Sequence, residues 1–322
     1  MPEWLVERGI GESRAALVDA DEIIEARIEL DGSIRAGSVV QARLKNTGIN
    51  GRNAIAVGED GHEYLLPSGA RQTTEGAGLT IEITREAIPG AEPWKRALAR
   101  LTGNEPLTAL PASDQLSGRD LTFPAPKDEL GAAGWDDLLD QARSGVVPFT
   151  GGELRTSPTP AMTLIDVDGY LDPDELAVHG ATAAAKAIRR LDIGGSIGID
   201  LPTTGSKAAR QAAAATIDQF LLQPFERTVV NGFGFIQIVR PRQRASLVEL
   251  AQDRAPFEAR ALLRRAAFET AGAKRLVAHP AVIAILQSHA NWLDALARQL
   301  GGAISLRAEA SLPMSGGYAE KP

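Results

Sequence analysis

The chain has no cysteine, which excludes disulfides, thiolate zinc sites and cysteine nucleophiles and fits a reducing compartment. It has only four histidines, His62, His179, His279 and His289, and none stands at a metal-ligand spacing. No apolar run approaches the length that spans a bilayer, and the N-terminus lacks a basic-then-apolar leader pattern. A cytoplasmic location without a membrane anchor is therefore expected. Excess positive charge is missing too. The net charge of −7 gives no support to polyanion binding by the chain as a whole, although a local groove is not judged by net charge, because salt screens fields beyond roughly 8 Å. Aromatic residues are scarce, at 5 %, while alanine and glycine abound. No Ser/His/Asp arrangement stands out, and Ser196 and Ser206 lack the setting of a nucleophile elbow. Gly194-Gly195 is followed by neither Lys-Ser/Thr nor a helix, so it is not a phosphate-binding loop.

What is present is the composition of a globular protein, 44 % apolar and 23 % charged over 322 residues, with room for two or three domains. The positive residues cluster: Lys186, Arg189 and Arg190; Arg240, Arg242 and Arg244; Arg260, Arg264 and Arg265; Lys274 and Arg275. Each cluster, taken alone, reads as a solvated helix or loop face.

The stretch that organises the rest runs from Met162 to Leu201. It opens Thr163-Leu164-Ile165-Asp166-Val167-Asp168-Gly169 and closes Gly194-Gly195-Ser196-Ile197-Gly198-Ile199-Asp200. Between these two β-branched runs lies an Ala-rich segment, Glu175 to Arg190, that reads as a helix. Strand, helix and strand make a right-handed parallel crossover. If the strands are neighbours, Asp166 and Asp200 lie side by side at their carboxyl ends, with backbones roughly 5 Å apart. Two carboxylates that close repel unless a proton or cation separates them, and a hard divalent cation is the natural occupant. The Asp-x-Asp-Gly start is not a calcium loop, because Gly169 comes fourth rather than sixth. The plainer alternative, that each aspartate caps a helix or closes a turn, stays open. Asp172, Asp174 and Glu175 suit the first turn of the Ala-rich helix.

The remaining segments take their places around this unit. Residues 3–32 read as a β-meander. In residues 37–102, Val39–Leu44, Asn53–Val57, Glu63–Leu66, Leu79–Ile83 and Arg96–Leu101 read as five short strands, which suits a small barrel of the OB type. Such barrels bind single-stranded nucleic acid through aromatic and basic residues, and Tyr64, Trp94, Lys95 and Arg96 are the candidates; a purely structural barrel is the alternative. Gly103–Gly134, with four prolines, reads as an extended linker or a covering arm. Trp135–Arg143 is a short amphipathic helix, Glu153–Thr156 a strand, Gly205–Phe225 a helix and Thr228–Val239 a strand running into Arg240. The tail shows helix 256–271, strand 275–278, helix 280–299 and strand 303–311, and Gly316–Pro322 is expected to be disordered.

These residues resemble the ribonuclease E/G family of endoribonucleases. Glu3-Trp4-Leu5-Val6 with Glu12–Val18 is similar to that family's opening strands. Gly151-Gly152 through Asp168 resembles its first metal-aspartate motif, and Arg190–Gly195 with Ile199-Asp200 its second. Phe233-Gly234-Phe235 with Arg240 and Arg242 resembles a third, basic motif, and Ala261–Leu312 is similar to its small C-terminal domain. The resemblance covers roughly three quarters of the chain.

The resemblance implies an α+β multidomain fold: an RNase H-like/DNase I-like α/β catalytic core with an inserted OB-type barrel and a small C-terminal α/β domain. The implied division is 1–36 for the RNase H-like strands, 37–102 for the barrel, 103–134 for the linker, 135–248 for the DNase I-like catalytic part and 249–322 for the tail. It implies a magnesium-dependent endoribonuclease that hydrolyses single-stranded RNA. Asp166 and Asp200 would hold Mg2+, Asp168 would support the site, and Tyr64, Lys95, Arg240 and Arg242 would contact RNA. Three departures accompany it. The family's 5′-sensing subdomain is replaced by the Pro-rich segment, so cleavage insensitive to the 5′ end, or none, is expected. The Cys-x-x-Cys zinc link is absent, so no zinc-linked dimer can form. One stacking aromatic is lost, with Ala54 or Ile55 in its place, while Tyr64 keeps the other. An inactive RNA-binding or regulatory relative is the rival reading.

Overall fold

A computed structural model describes residues 1–70, 73–89 and 95–322. Among these, a mixed α and β architecture contains one closed barrel and three open sheets. β1 (Glu3–Arg8), β2 (Glu12–Asp19) and β3 (Glu22–Leu30) form the expected antiparallel meander. β4 (Val39–Asn46), β5 (Ala54–Gly58), β6 (Glu63–Leu66), β7 (Gly78–Arg85) and β8 (Ala97–Leu101) close on one another in the order β4-β5-β6-β8-β7. Ala, Leu and Ile at alternate positions fill the barrel interior, as the period of two requires.

The Pro-rich segment is a covering arm rather than a free linker. Leu107 bridges to Val39 of the barrel. Glu29 accepts hydrogen bonds from Ala112 N, Ser113 N and Ser113 Oγ. β9 (Gly118–Leu121) then pairs parallel with β1, as the fourth strand of the first sheet. α1 (Glu129–Ala132), capped by Asp128, and α2 (Trp135–Ser144) follow.

The central sheet has six strands. β10 (Val146–Phe149), β11 (Gly152–Pro158), β12 (Thr163–Gly169), β13 (Gly195–Asp200), β14 (Glu226–Arg227) and β15 (Phe235–Arg240) run in the order β10-β11-β12-β13-β15-β14. Only β12 and β13 are parallel neighbours, and α3 (Pro173–Arg190) is the crossover between them. Asp172 caps α3 by accepting from Asp174 N at 3.0 Å. α3 is Ala-rich because it sits close: Ala177, Gly180, Ala181, Ala184 and Ala185 are buried, and it packs on β11 and β12 and touches β3. A Cβ at Gly180 would lie 2.3 Å from Val167 Cγ1, so glycine sets the approach of helix to strand. α4 (Lys207–Phe220) packs on α3. The main core runs from Leu5 and Ile23 of the first sheet through α2, α3 and the central sheet to Phe257 and Ala261. The N-terminal strands and residues 135–248 thus share one interior.

α5 (Leu247–Gln252) starts at a capping box of Ser246 and Glu249, and α6 (Arg254–Ala267) belongs to two cores at once. β16 (Lys274–Ala278), α7 (Pro280–Ser288), α8 (Ala290–Leu300) and β17 (Ile304–Ala308) complete the tail. The expected single helix over 280–299 is broken at His289, whose φ of −123° leaves the helical region. The expected disorder of Gly316–Pro322 is overturned in part: β18 (Tyr318–Glu320) pairs antiparallel with β16, the centre of a three-stranded sheet. Among the described residues no helix is long and apolar enough to cross a membrane.

Candidate metal centre and nucleic-acid surfaces

Along β12, Thr163, Ile165 and Val167 point into the core, while Leu164, Asp166 and Asp168 point out. Along β13, Ile197 and Ile199 point in and Asp200 points out. The parallel register pairs Asp166 with Asp200 directly. Both carboxylates therefore stand on the open face of the central sheet, on adjacent strands whose backbones are about 4.8 Å apart. Asp168 lies two residues along on the same face. Partial burial, then the charges of Asp168 and Asp200, push the Asp166 carboxyl above its ordinary range. The backbone N–H of Val167 and the charge of Arg155 act in the opposite sense and offset only part of this.

Two further residues complete the surroundings. Arg155 on β11 is the register partner of Asp166, and its Nε lies 3.4 Å from Asp168 Oδ2. Phe235 on β15 is the register partner of Asp200. Its ring lies across Gly198, where an added Cβ would come within 2.6 Å of Phe235 Cζ and 3.0 Å of Leu164 Cδ2. Phe233, in the turn before β15, is 81 % exposed, and Asn231 Oδ1 accepts the N–H of both Phe233 and Phe235. The open face thus places an aromatic ledge beside the carboxylates. Sequence reasoning did not single out Arg155 as part of the site. The signal was available in the alternation Glu153-Leu154-Arg155, which sends Glu153 and Arg155 to the same side as the aspartates.

The pair suits a divalent cation that keeps most of its water. Among the described residues no three acidic or histidine side chains converge as a ready-made ion cage. Magnesium is held by one or two carboxylates plus water, and Asp166 and Asp200, paired across adjacent strands, provide two.

The expected RNA contacts are not gathered around this pair. Tyr64 is 1 % exposed. Its ring fills the barrel and its hydroxyl donates to Asp60 Oδ2 at 3.1 Å. Burial, then the charge of Asp60, pushes its phenol up to about 12. A stacking role for Tyr64 is therefore corrected: it has no free face for a base. Lys95 is half-buried, two residues before the last barrel strand. Arg96 donates to Glu63 at 2.6 Å, and Trp94 lies outside the described residues. Arg240 and Arg242 are at the opposite end of the sheet. Gly195 pairs with Arg240 where Asp200 pairs with Phe235, a separation of about 17 Å at 3.3–3.4 Å per residue.

The positive clusters also depart from solvated faces. Arg264 is 2 % exposed and Arg260 is buried as well. Arg264 donates to Glu7 and Asp128, Arg260 to Glu12, and Arg14 to both Glu7 and Glu12, at 2.6–3.1 Å. Three guanidiniums and three carboxylates join the first sheet, α1 and α6. Lys274 is buried with its Nζ on Thr270.

No protein-family model matches this chain, and a search of curated proteins finds no match either.

Proposed function

We propose that the chain is a magnesium-dependent endoribonuclease acting on single-stranded RNA, related to the ribonuclease E/G family. The observation that carries this reading is the lateral pairing of Asp166 and Asp200 on neighbouring parallel strands of an open sheet face. The barrel order β4-β5-β6-β8-β7 is compatible with an OB-type module inserted between the first sheet and the catalytic part.

In this reading Asp166 and Asp200 hold the ion. When bound, it supplies a Lewis acid to the scissile phosphate and a more acidic water. The residues of the chain do the rest. Arg155 restrains Asp168 and balances part of the acidic charge that would otherwise repel the RNA backbone. Phe235 and Phe233 offer apolar faces on which unpaired bases stack, a sequence-tolerant contact. The solvent-exposed face suits a flexible single strand.

The test is cleavage of an unstructured RNA with 5′-phosphate or 5′-hydroxyl, with and without magnesium. Wild type should cut both substrates at similar rates, and Asp200→Asn should abolish cutting while RNA binding at low salt changes less than threefold. Undiminished cutting by Asp200→Asn would sink the reading. The rival, a non-catalytic RNA-binding relative, draws on the lack of a third converging ligand among the described residues; RNA binding by wild type with no magnesium-dependent cleavage would establish it.

A further inference from the structure

The carboxylate pair stands at the last rung of a ladder. The parallel register of β12 with β13 runs from Thr163 and Ile197 to Asp166 and Asp200, and stops there. Beyond that rung the two chains separate. β12 continues to Gly169 against β11, while β13 ends at Asp200 with Phe235 of β15 on its far side. Ladder ends are where strands open most easily, and here two like charges add a push in the opening direction.

A single side-chain link spans the gap past this rung. Thr204 Oγ1, in the loop between β13 and α4, donates to Asp174 Oδ1, in the first turn of α3. Thr204 is 4 % exposed. Its hydroxyl also accepts the Ser206 N–H at 3.1 Å, and its carbonyl accepts from Arg210 Nη1 at 2.6 Å. Asp172 and Ser206 cap the two helices. The start of α3 and the start of α4 are thus joined through one buried threonine. Among the described residues no other side-chain hydrogen bond or ion pair joins residues 167–175 to residues 201–206. The other ties of this loop, Thr203 Oγ1 to Phe233 O at 3.1 Å and Leu201 N–H to Gly234 O at 3.2 Å, run to the β15 side.

We infer that the Thr204–Asp174 hydrogen bond braces the metal site, keeping Asp166 and Asp200 close enough to share one divalent cation. Thr204 is the positioning residue and Asp174 its anchor. The inference rests on the reading of the carboxylate pair as a magnesium site. Magnesium demands near-ideal octahedral geometry, so a pair free to spread binds it poorly. Asp174 serves here as an acceptor rather than as a charge, which separates the brace from an acidic first turn that only complements the helix dipole.

The test is Mn2+ binding to the full chain, read from the electron paramagnetic resonance of the free ion at a temperature where every variant is folded. Mn2+ stands in for magnesium because both take octahedral oxygen ligands. Thr204→Val keeps the shape and loses the hydroxyl, and Asp174→Ala loses the acceptor. Each should weaken Mn2+ binding about tenfold, the low end for residues that orient metal ligands. The double variant should lose no more than either alone, because both remove the same bond. Thr204→Ser and Asp174→Asn each keep the bond and should retain the binding. Thr203→Val cuts a tie of the same loop to β15 and spares the brace, so it should bind Mn2+ as wild type does. Because coupling is reciprocal, saturating magnesium should slow hydrogen exchange of the Ser206 amide, which donates to the Thr204 hydroxyl.

Equal Mn2+ binding by wild type and Thr204→Val would overturn the brace. So would an equal loss in Thr203→Val, which marks general loosening of the loop, or a loss in Asp174→Asn as large as in Asp174→Ala, which marks an effect of charge. Unchanged exchange of the Ser206 amide in magnesium-saturated wild type would overturn it whether or not the variants fold. Wild type that binds no Mn2+ would remove the metal reading and the brace with it, whereas Mn2+ binding indifferent to Thr204 counts against the brace alone.

Discussion

At the scale of single residues, the ionised Asp166 carboxylate opposes stability. Asp166 is held above its ordinary range by burial and by Asp168 and Asp200. The folded chain therefore binds that proton more tightly than the unfolded chain does. The stability that comes with the protonated form is lost as pH rises through the folded value, so ionised Asp166 is a net cost at neutral pH. Asp166→Asn should stabilise the fold at pH 7 by up to about 0.5 kcal/mol, the scale of screened charges near a surface, and so raise Tm. The gain should shrink as pH falls into the acid range where Asp166 is protonated anyway. A lower Tm for Asp166→Asn at pH 7 would show that the carboxylate has a partner in the free protein. The pairing of Asp166 with Asp200 was legible in the sequence because a strand-helix-strand unit fixes both neighbour and direction. The burial of Tyr64 was not, because inward or outward parity in a barrel depends on how the strands close. Arg260 and Arg264 escaped for a related reason: whether a charge is buried depends on partners, here Glu12 and Glu7, that lie far away in sequence.

At the scale of elements, the contact between α3 and β12 sets the site. Replacing an interior helix glycine with alanine ordinarily stabilises by about 0.5–1 kcal/mol. At Gly180 the sign should reverse, because the new Cβ would meet Val167 Cγ1 at 2.3 Å. Gly180→Ala should cost about 1–3 kcal/mol, the scale of overpacking, as measured by urea unfolding. The double variant Gly180→Ala with Val167→Ala should show coupling, costing less than the sum of the two single changes. Since Val167 lies between Asp166 and Asp168, the single variant should also reduce any magnesium-dependent cleavage. Periodicity made α3, β12, β13 and the five barrel strands readable. β9 and β18 were not, because each is short and is held by a partner strand rather than by its own pattern: β1 supplies one ladder and β16 the other.

At the scale of the whole molecule, the network of Arg14, Arg260, Arg264, Glu7, Glu12 and Asp128 ties the first sheet and α1 to α6, far apart in sequence. Arg264→Met would leave Glu7 with Arg14 alone and weaken the hold on Asp128, and removing one partner from a buried ion cluster typically costs about 3–5 kcal/mol. Urea unfolding should show that loss. The network's contribution should change little between 0.1 and 1 M salt, as expected for screening that scarcely reaches buried pairs. A loss below about 1 kcal/mol would place these charges energetically at the surface.

The parallel pairing of β1 with β9 bears on how the protein is made. During synthesis the first three strands emerge early, but the fourth strand of their sheet follows only after the whole barrel. The arginines that neutralise Glu7 and Glu12 come later still, on α6. The nascent N-terminal sheet must therefore wait, with one edge bare and part of its interior charge unmatched, while the five barrel strands, which pair with one another, can close at once. The N-terminal sheet is thus made before its partners yet completed after them, and it is where a folding helper would have most to protect.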